Sequence, residues 1–350
     1  MEKRETIFIG LSGGVDSAVS AALLQEQGYD VVGAFIKIWQ PEFTECTWKE
    51  DRLDAMRVAA ALGIPFREID LSKAYKKYVV DAMVADYARG ITPNPDVLCN
   101  QHIKFGTFMK WCLSEGADYV ATGHYARTRA REGVFDLLRA VDSSKDQSYF
   151  LYRLTQHDLA HAMFPIGGLH KTQVRAEAVR RGLPVARKPD SQGLCFVGHI
   201  SLPEFLSRYM PLVPGPVLME GVVIGEHEGA ALFTIGQRHG YSTKIRSVTP
   251  LYVTNIDVFT NTITVSPRRE DAERDSAYFD DVHWVDAAPE ANRTLMAQAR
   301  YHESPVKAVI CEVAGRICVN FEKPHVATPG QSLVLYDGDV CLGGGALSSK

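Results

Sequence analysis

Apolar positions in the first third of the chain follow two alternating rhythms. Short β-branched and aromatic runs at 6–10, 31–38, 65–71 and 118–122 alternate with helical spacing at 17–27, 50–62, 72–89 and 101–115. Within the first helical stretch Ala18, Val19, Ala22 and Leu23 form one apolar stripe, as in a helix lying on a sheet. Strands alternating with helices predict an α/β fold built on a doubly wound parallel sheet, with ligands beyond the carboxyl ends of its strands. After about residue 200 the helical rhythm stops. Proline and glycine cluster in MPLVPGPVL, and residues 251–267 read as a hairpin turning near Thr260 and Asn261. From about 280, AQARY, VKAVICEV, RICVNF and SLVLYDGDVCLGG are short strands between turn residues, as in a small barrel or sandwich. The pattern predicts an α/β catalytic domain over 1–200, a small connecting domain over 201–272 and a β-barrel-like domain over 273–350.

Composition narrows the class without naming it. The 350 residues are 46% hydrophobic and 23% charged, enough apolar surface for two or three real cores. With 38 basic and 42 acidic residues the net charge is −4, which does not advertise nucleic-acid binding; a local basic stripe would still suffice. No stretch approaches the roughly 20 apolar residues that span a bilayer, and the first ten residues hold no signal core. Seven cysteines, an odd count without CxxC spacing, favour a reducing cytoplasm over a disulfide scaffold.

Candidate chemistry begins at SGGVDS, Ser12 to Ser17, set between the first strand and the first helix. Such a loop aims backbone N–H groups and the positive end of a helix dipole at an anion. It lacks the lysine of the GxxxxGK[ST] loop, so it is not built to reach a terminal phosphate. A plain strand-to-helix turn would also use glycine and serine. Two serines, two adjacent glycines and an aspartate within six residues favour phosphate binding. The loop resembles the PP-loop of ATP pyrophosphatases, which implies cleavage of ATP between its α- and β-phosphates. Amides and hydroxyls of Ser12, Gly13, Gly14 and Ser17 would then neutralise the departing pyrophosphate, while Asp16 would orient the loop or a Mg²⁺ ion.

Two cysteines stand apart from the apolar patterns. In TPNPDVLCN, residues 92 to 100, Pro93 and Pro95 stiffen the chain and present Asn94, Asp96 and Cys99 just ahead of a helix. A thiol near a helix N-terminus has a lowered pKa, which raises its thiolate fraction. KPDSQGLCFVG, residues 188 to 198, places Cys195 on a glycine-containing turn. Cys112, Cys311, Cys318 and Cys341 lie inside apolar patterns and read as small buried hydrophobes. Cys46, in a polar loop, is not assigned. Two reactive thiols beside an adenylating loop suggest sulfur transfer: oxygen joined to AMP leaves carbon readily and a persulfide replaces it.

These residues together resemble the bacterial tRNA-specific 2-thiouridylase family (MnmA type) over almost the whole chain. SGGVDS, TPNPDVLCN followed by IKF, ATGHYAR, KDQSYFL, DSQGLCF, TIGQR, RYH, TPGQS and YDGDVCLGGG carry the likeness. The resemblance implies 2-thiolation of the wobble uridine of glutamate, glutamine and lysine tRNAs, with sulfur delivered as a persulfide by a relay of carrier proteins. It implies that Cys195 holds the persulfide and Cys99 releases its sulfur, an oxidised protein joining the two as a disulfide. ATP would meet Gly10, Leu11, Ser12, Gly13, Gly14, Val15, Asp16, Ser17, Ile36 and Gly123. Asn94, Pro95 and Asp96 would hold the target base, with Asp96 the acid/base. Contacts to tRNA would come from His124, from Lys145, Asp146 and Gln147, from Arg300 and Tyr301, and from Gln331. Ala18 and Ile36 replace the family's frequent serine and methionine.

Two basic segments, Arg127 to Arg139 and Lys171 to Lys188, could meet tRNA phosphates or be solvated faces. Three rivals share some of these features. A PP-loop enzyme adenylating a small metabolite needs the loop alone; Cys99 and Cys195 could instead ligate an iron–sulfur cluster; a tRNA-binding module needs no ATP.

Overall fold

In the computed structural model, which describes residues 4–44, 48–190, 200–245 and 249–349, the first strand, β1 (Thr6–Gly10), runs through the middle of a parallel sheet. Ile7 and Ile9 are fully buried and Phe8 nearly so, as a central strand covered on both faces requires. Beside it lie β2 (Asp30–Lys37) and β3 (Phe66–Asp70) on one flank, and β4 (Tyr119–Ala121) and the short strand Ala162–Met163 on the other. The order β3-β2-β1-β4 reverses direction between β1 and β4, so the site of an open α/β sheet falls at the carboxyl ends of those two strands. The helix α1 (Val15–Glu26) buries Ala18, Val19, Ala21 and Leu24 in the same core as Val174 and Ala178 of the helix Lys171–Arg180.

This sheet belongs to a unit made of residues 1–79, 96–200 and 339–341. The strand and helix expectations for its first 120 residues match the structure, with one consequential difference. The helix expected over 101–115 begins at Pro95, runs through Leu98, continues as a π-helix over Cys99–Phe108 and ends as Met109–Ser114. Proline at a first helical position loses no bond, since that N–H has no partner in any helix. A hairpin, Ala126–Arg131 and Val134–Arg139, was not expected at all. Arg129 and Arg131 both pair with Asp136, whose side chain is buried. One carboxylate thus offsets only one of these two half-exposed arginine charges.

The second unit holds residues 80–95, 201–338 and 342–350. Its small middle sheet joins Gly215–Met219, Val222–His227, Tyr241–Thr243, Tyr252–Asp257 and Thr262–Ser266, packed over Val217, Phe233, Val253 and Ile263. The last two strands are the expected hairpin, turning through Asn261 at φ 52°. Six antiparallel strands then close into a barrel: Arg274–Trp284, Thr294–Gln298, Val306–Val313, Arg316–His325, Ser332–Asp337 and Val340–Leu347. The first pairs with the last, so no strand edge is left open. Leu295, Ala297, Ile310, Val319, Leu333 and Leu335 fill its interior.

One cysteine expectation is corrected here. Cys311 and Cys318 are not lone hydrophobes but a disulfide across neighbouring strands, with Cα atoms 5.0 Å apart. The turn at Ala314 and Gly315 makes them direct partners in the hairpin register. Cys112 and Cys341 are buried as expected. Cys46 and Cys195 lie outside the described residues. Among the described residues no helix is long and apolar enough to cross a membrane.

Candidate nucleotide and base site

The ladder between β1 and β2 extends to Leu11, whose N–H donates to the Ala34 carbonyl at 2.8 Å. The loop begins one residue later. Gly13 has φ 75°, and a Cβ there would stand 2.4 Å from the Asp51 carbonyl oxygen, so both conformation and space demand glycine. Gly14 caps α1 in extended conformation with no side-chain capping bond. The first-turn amides of α1 thus face outward beneath the positive end of the helix dipole. Ser12 and Ser17 sit with hydroxyls 3.3 Å apart, and Ser17 Oγ also accepts the Ser12 amide. Gly123, following β4, presses against the same turn: a Cβ would lie 2.7 Å from the Ser17 nitrogen. Gly10 and Val15 border this loop, and Ile36 lies on β2 opposite Ile69.

Asp16 is already engaged. Both its oxygens accept from Lys171 Nζ, at 2.8 and 2.9 Å, and one accepts the Tyr125 hydroxyl at 2.9 Å. Burial and that carboxylate push the Tyr125 phenol well above its ordinary range. Lys171 also reaches Asp190 at 2.8 Å, where Lys145 and Arg175 converge. Burial opposes the charge on Asp190, but the lysines outweigh it and hold its carboxyl at about 2. The second basic segment is thus an internal ion network behind the loop: Lys188 pairs with Asp51 and Asp54, and Arg181 with Glu26 and Glu177. Sequence reasoning placed Lys171 only in a basic segment that meets tRNA phosphates or is a solvated face. Its signal as the partner of Asp16 is invisible in one dimension, because 155 residues separate them.

His124, expected at the tRNA surface, is buried. Its Nδ1 lies 2.7 Å from Thr122 Oγ1 and its Nε2 3.2 Å from Lys104 Nζ. Burial, reinforced by Lys104, drives its pKa well below the usual histidine range, so the ring is neutral and Nε2 accepts from the ammonium. Lys104 was not singled out from the sequence; it sits on the π-helix that starts at Cys99. Asp96 keeps contact with solvent, yet desolvation raises its pKa while Lys104 pulls it down. Cys99 is half-buried, one turn inside the helix that starts at Pro95. A helix dipole fades within the first turn, which removes the expected basis for activating this thiol.

The KDQ segment divides its labour. Lys145 is partly exposed on Asp190. Asp146 is 7% exposed and accepts from the Ala140 and Ser148 amides, Ser148 Oγ and Arg139. Gln147 exchanges hydrogen bonds with the Tyr125 backbone through its Oε1 and its own amide. Gln147 therefore holds this loop against the ATGHY strand end, while Asp146 ties it to Ala140 and Arg139 at the end of the hairpin.

In the second unit, Asn94 Nδ2 reaches Ser332 Oγ at 3.5 Å, and Gln331 donates to the Thr92 and Pro93 carbonyls. Arg300 donates to the Ile235 carbonyl and to Thr328 Oγ1, and the Tyr301 ring lies tilted by 46° against that of His302, which has φ 63°.

Family models match three consecutive stretches: a tRNA methyl transferase HUP domain at 5–199, a tRNA methyl transferase PRC-barrel domain at 203–267 and an aminomethyltransferase beta-barrel domain at 274–347. The tRNA-specific 2-thiouridylase MnmA of Nitrosomonas eutropha is 42% identical over 99% of this chain and 99% of its own length. That of Polynucleobacter asymbioticus is 44% identical over 98% and 96%, and that of Burkholderia pseudomallei 44% over 100% and 94%. Among solved structures, the U34-tRNA thiolase NcsA of Methanococcus maripaludis with its [4Fe-4S] cluster aligns with 59% of this chain and 64% of its own, at 18% identity and TM-score 0.36. That likeness is too distant to bear on activity.

Proposed function

The chain belongs to the tRNA-specific 2-thiouridylase family, and from that kinship we propose that it thiolates the wobble uridine of glutamate, glutamine and lysine tRNAs at the expense of ATP. The observation that carries the chemistry is the Ser12–Ser17 loop at the sheet's switch point, with uncapped helix amides, Gly13 within it and Gly123 pressed against it, neither of which has room for a side chain. ATP fits this cradle, and Ser12, Gly13, Gly14 and Ser17 would hold its phosphates. A Mg²⁺ ion accompanying the nucleotide would be held chiefly by those phosphates. Asp16, engaged by Lys171 and Tyr125, does not fit a metal-ligand role, and no step is routed through a metal.

In this reading the uridine C2 oxygen attacks the α-phosphorus and pyrophosphate leaves. The terminal sulfur of a Cys195 persulfide then attacks C2 and AMP departs, which leaves a C2–S–S–Cys195 disulfide. Cys99 thiolate attacks the Cys195 sulfur; the S–S electron pair passes to the C2 sulfur, and a Cys99–Cys195 disulfide remains for an external dithiol to reduce. Asn94 and Pro95 would seat the base and Asp96 would move the proton. Residues 1–200 would carry the chemistry and 273–350 would dock tRNA, joined by 201–272. Lys145, Arg300 and Tyr301 would meet the tRNA, while His124, Asp146 and Gln147 would shape the first unit from within. A persulfide-carrying relay protein would supply the sulfur.

The test uses anaerobic protein, ATP with Mg²⁺, a persulfide-charged donor and an unmodified glutamate tRNA transcript, read by mass spectrometry of the digested tRNA. Oxygen-to-sulfur exchange at the wobble uridine that needs ATP is the expected result. Pyrophosphate release without a thiolated base would point to a small-molecule substrate instead.

The two site carboxylates also predict a pH profile. Asp190, held at about 2, contributes stability above an unfolded carboxyl pKa of about 3.9, a contribution lost only as pH falls through that window towards 2. Asp96, raised by desolvation, keeps its proton to higher pH. The acid limb of the single-turnover rate is therefore expected to report Asp96. Lys104→Met should move that limb to higher pH, because the lowering charge is gone, while Asp190→Asn should leave it in place. A limb that ignores Lys104 would refute this assignment.

A further inference from the structure

The segment Ile91 to Asn94 leads directly into Asp96 and Cys99, and within its own unit it is fastened from several sides. Pro93 and Pro95 have no N–H, so this stretch cannot join a ladder and its carbonyls need donors from elsewhere. Gln331 supplies both: Nε2 donates to the Thr92 carbonyl at 3.1 Å and to the Pro93 carbonyl at 2.9 Å. These are the two N–H bonds that a primary amide nitrogen possesses. The Thr92 amide donates to the Pro329 carbonyl at 3.2 Å. Gly330 has φ 82°, and a Cβ on it would stand 2.1 Å from Ile91 Cγ2 and 2.8 Å from the Thr92 oxygen.

Other motifs brace the same turn. Thr92 Oγ1 meets Thr234 Oγ1 at 3.2 Å, and Arg300 ties the Ile235 carbonyl to Thr328. The backbone of Gln331 is fixed at both ends, its N–H on the Thr328 carbonyl and its carbonyl on the Leu347 amide. TIGQR and TPGQS, about ninety residues apart, thus converge on Thr92, Pro93 and Asn94 of TPNP, and Arg300 of RYH joins the two motifs to each other. A glutamine serving only as an RNA contact would have no need to direct its nitrogen at two consecutive carbonyls of its own chain.

We propose that Gln331 is a positioning residue for the reaction, its carboxamide clamping Thr92 and Pro93 so that Asn94 and the residues after it meet the target base in a fixed conformation. The inference rests on the thiouridylase reading above and adds a second role for a residue expected to touch tRNA. Gln331→Glu keeps the size but removes both donors and sets carboxylate oxygens against two carbonyls. Gln331→Ala removes the clamp without repulsion. Gly330→Ala pushes on the segment from the other side.

Three quantities decide the matter: tRNA affinity by filter binding, the single-turnover thiolation rate at saturating tRNA, and hydrogen exchange of the Thr92 amide in tRNA-free protein. For Gln331→Glu we expect affinity within about threefold of wild type, but a saturated rate lower by about tenfold or more. Thr92 exchange should rise about tenfold in Gln331→Ala as the segment opens locally, with the melting midpoint of the whole protein little changed. Gly330→Ala should reproduce both effects. Loss of affinity with an unchanged saturated rate would make Gln331 a tRNA contact alone and overturn the proposal, as would unchanged Thr92 exchange. If wild-type protein thiolates no tRNA, the functional reading fails, and the exchange measurement still decides the clamp.

Discussion

A Gly13→Ala variant is expected to lose ATP-dependent pyrophosphate release by about a hundredfold or more, since displacing reacting groups by about 1 Å costs that much. Two independent penalties act at this residue. Its φ of 75° lies in the left-handed region, which costs a residue with a Cβ about 1–2 kcal/mol. The new methyl would also fall 2.4 Å from the Asp51 carbonyl oxygen, on backbone that cannot rotate away. Asp51 is part of the helix Trp48–Leu62 and is paired with Lys188 at 2.8 Å, so the loop yields rather than the helix. Yielding moves the amides that would face the phosphates. Isothermal titration with a non-hydrolysable ATP analogue should show the loss in binding, while circular dichroism retains the fold. Wild-type pyrophosphate release from this variant would mean that the Ser12–Ser17 loop is not the nucleotide cradle.

The sequence made this loop legible because its information is local. A strand, a loop and a helix in twenty residues carry their own periodicities and turn chemistry, and Gly13 stands where the backbone needs it. The same holds for the hairpin around Asn261. What a single sequence could not show were pairings across long separations. Lys171 reads as one more positive charge until the fold brings it to Asp16, and Arg129 and Arg131 read as a basic stripe until a hairpin sets Asp136 between them. Cys311 and Cys318 stood symmetrically about Ala314 and Gly315, and that symmetry was available; their apolar surroundings outweighed it.

The helix around Cys99 failed for another reason. Pro93 and Pro95 suggest rigid extended chain, and the apolar rhythm of 101–115 starts later, so the helix start was placed too far along. Proline opens helices as readily as it stops them. The segment before Asp96 shows the complementary case: TIGQR entered the resemblance without a task and TPGQS only through Gln331 as a tRNA contact, and their hydrogen bonds onto Thr92 and Pro93 emerged only in the fold.

Cys99→Ala is expected to abolish multiple-turnover thiolation from a persulfide donor, a loss of about a thousandfold or more, as for removal of a nucleophile, at low external thiol. Pyrophosphate release should persist within about threefold in a first turnover, because adenylation does not use this sulfur. In the proposed mechanism the two readouts separate because sulfur has already reached C2 when Cys99 acts. Without it, the C2–S–S–Cys195 linkage cannot be opened from within, and tRNA should accumulate on the enzyme as a covalent adduct. That adduct should migrate with protein on a denaturing gel and be released by a dithiol as thiolated tRNA. Since Cys99 is half-buried, its reactivity should depend on approach to the Cys195 sulfur. Iodoacetamide should accordingly alkylate Cys99 in tRNA-free protein at a rate near that of an ordinary exposed thiol, or slower. Rapid turnover by Cys99→Ala would remove the cysteine from the sulfur-releasing step. Loss of pyrophosphate release as well, without an adduct, would assign it to adenylation or to the shape of the base pocket.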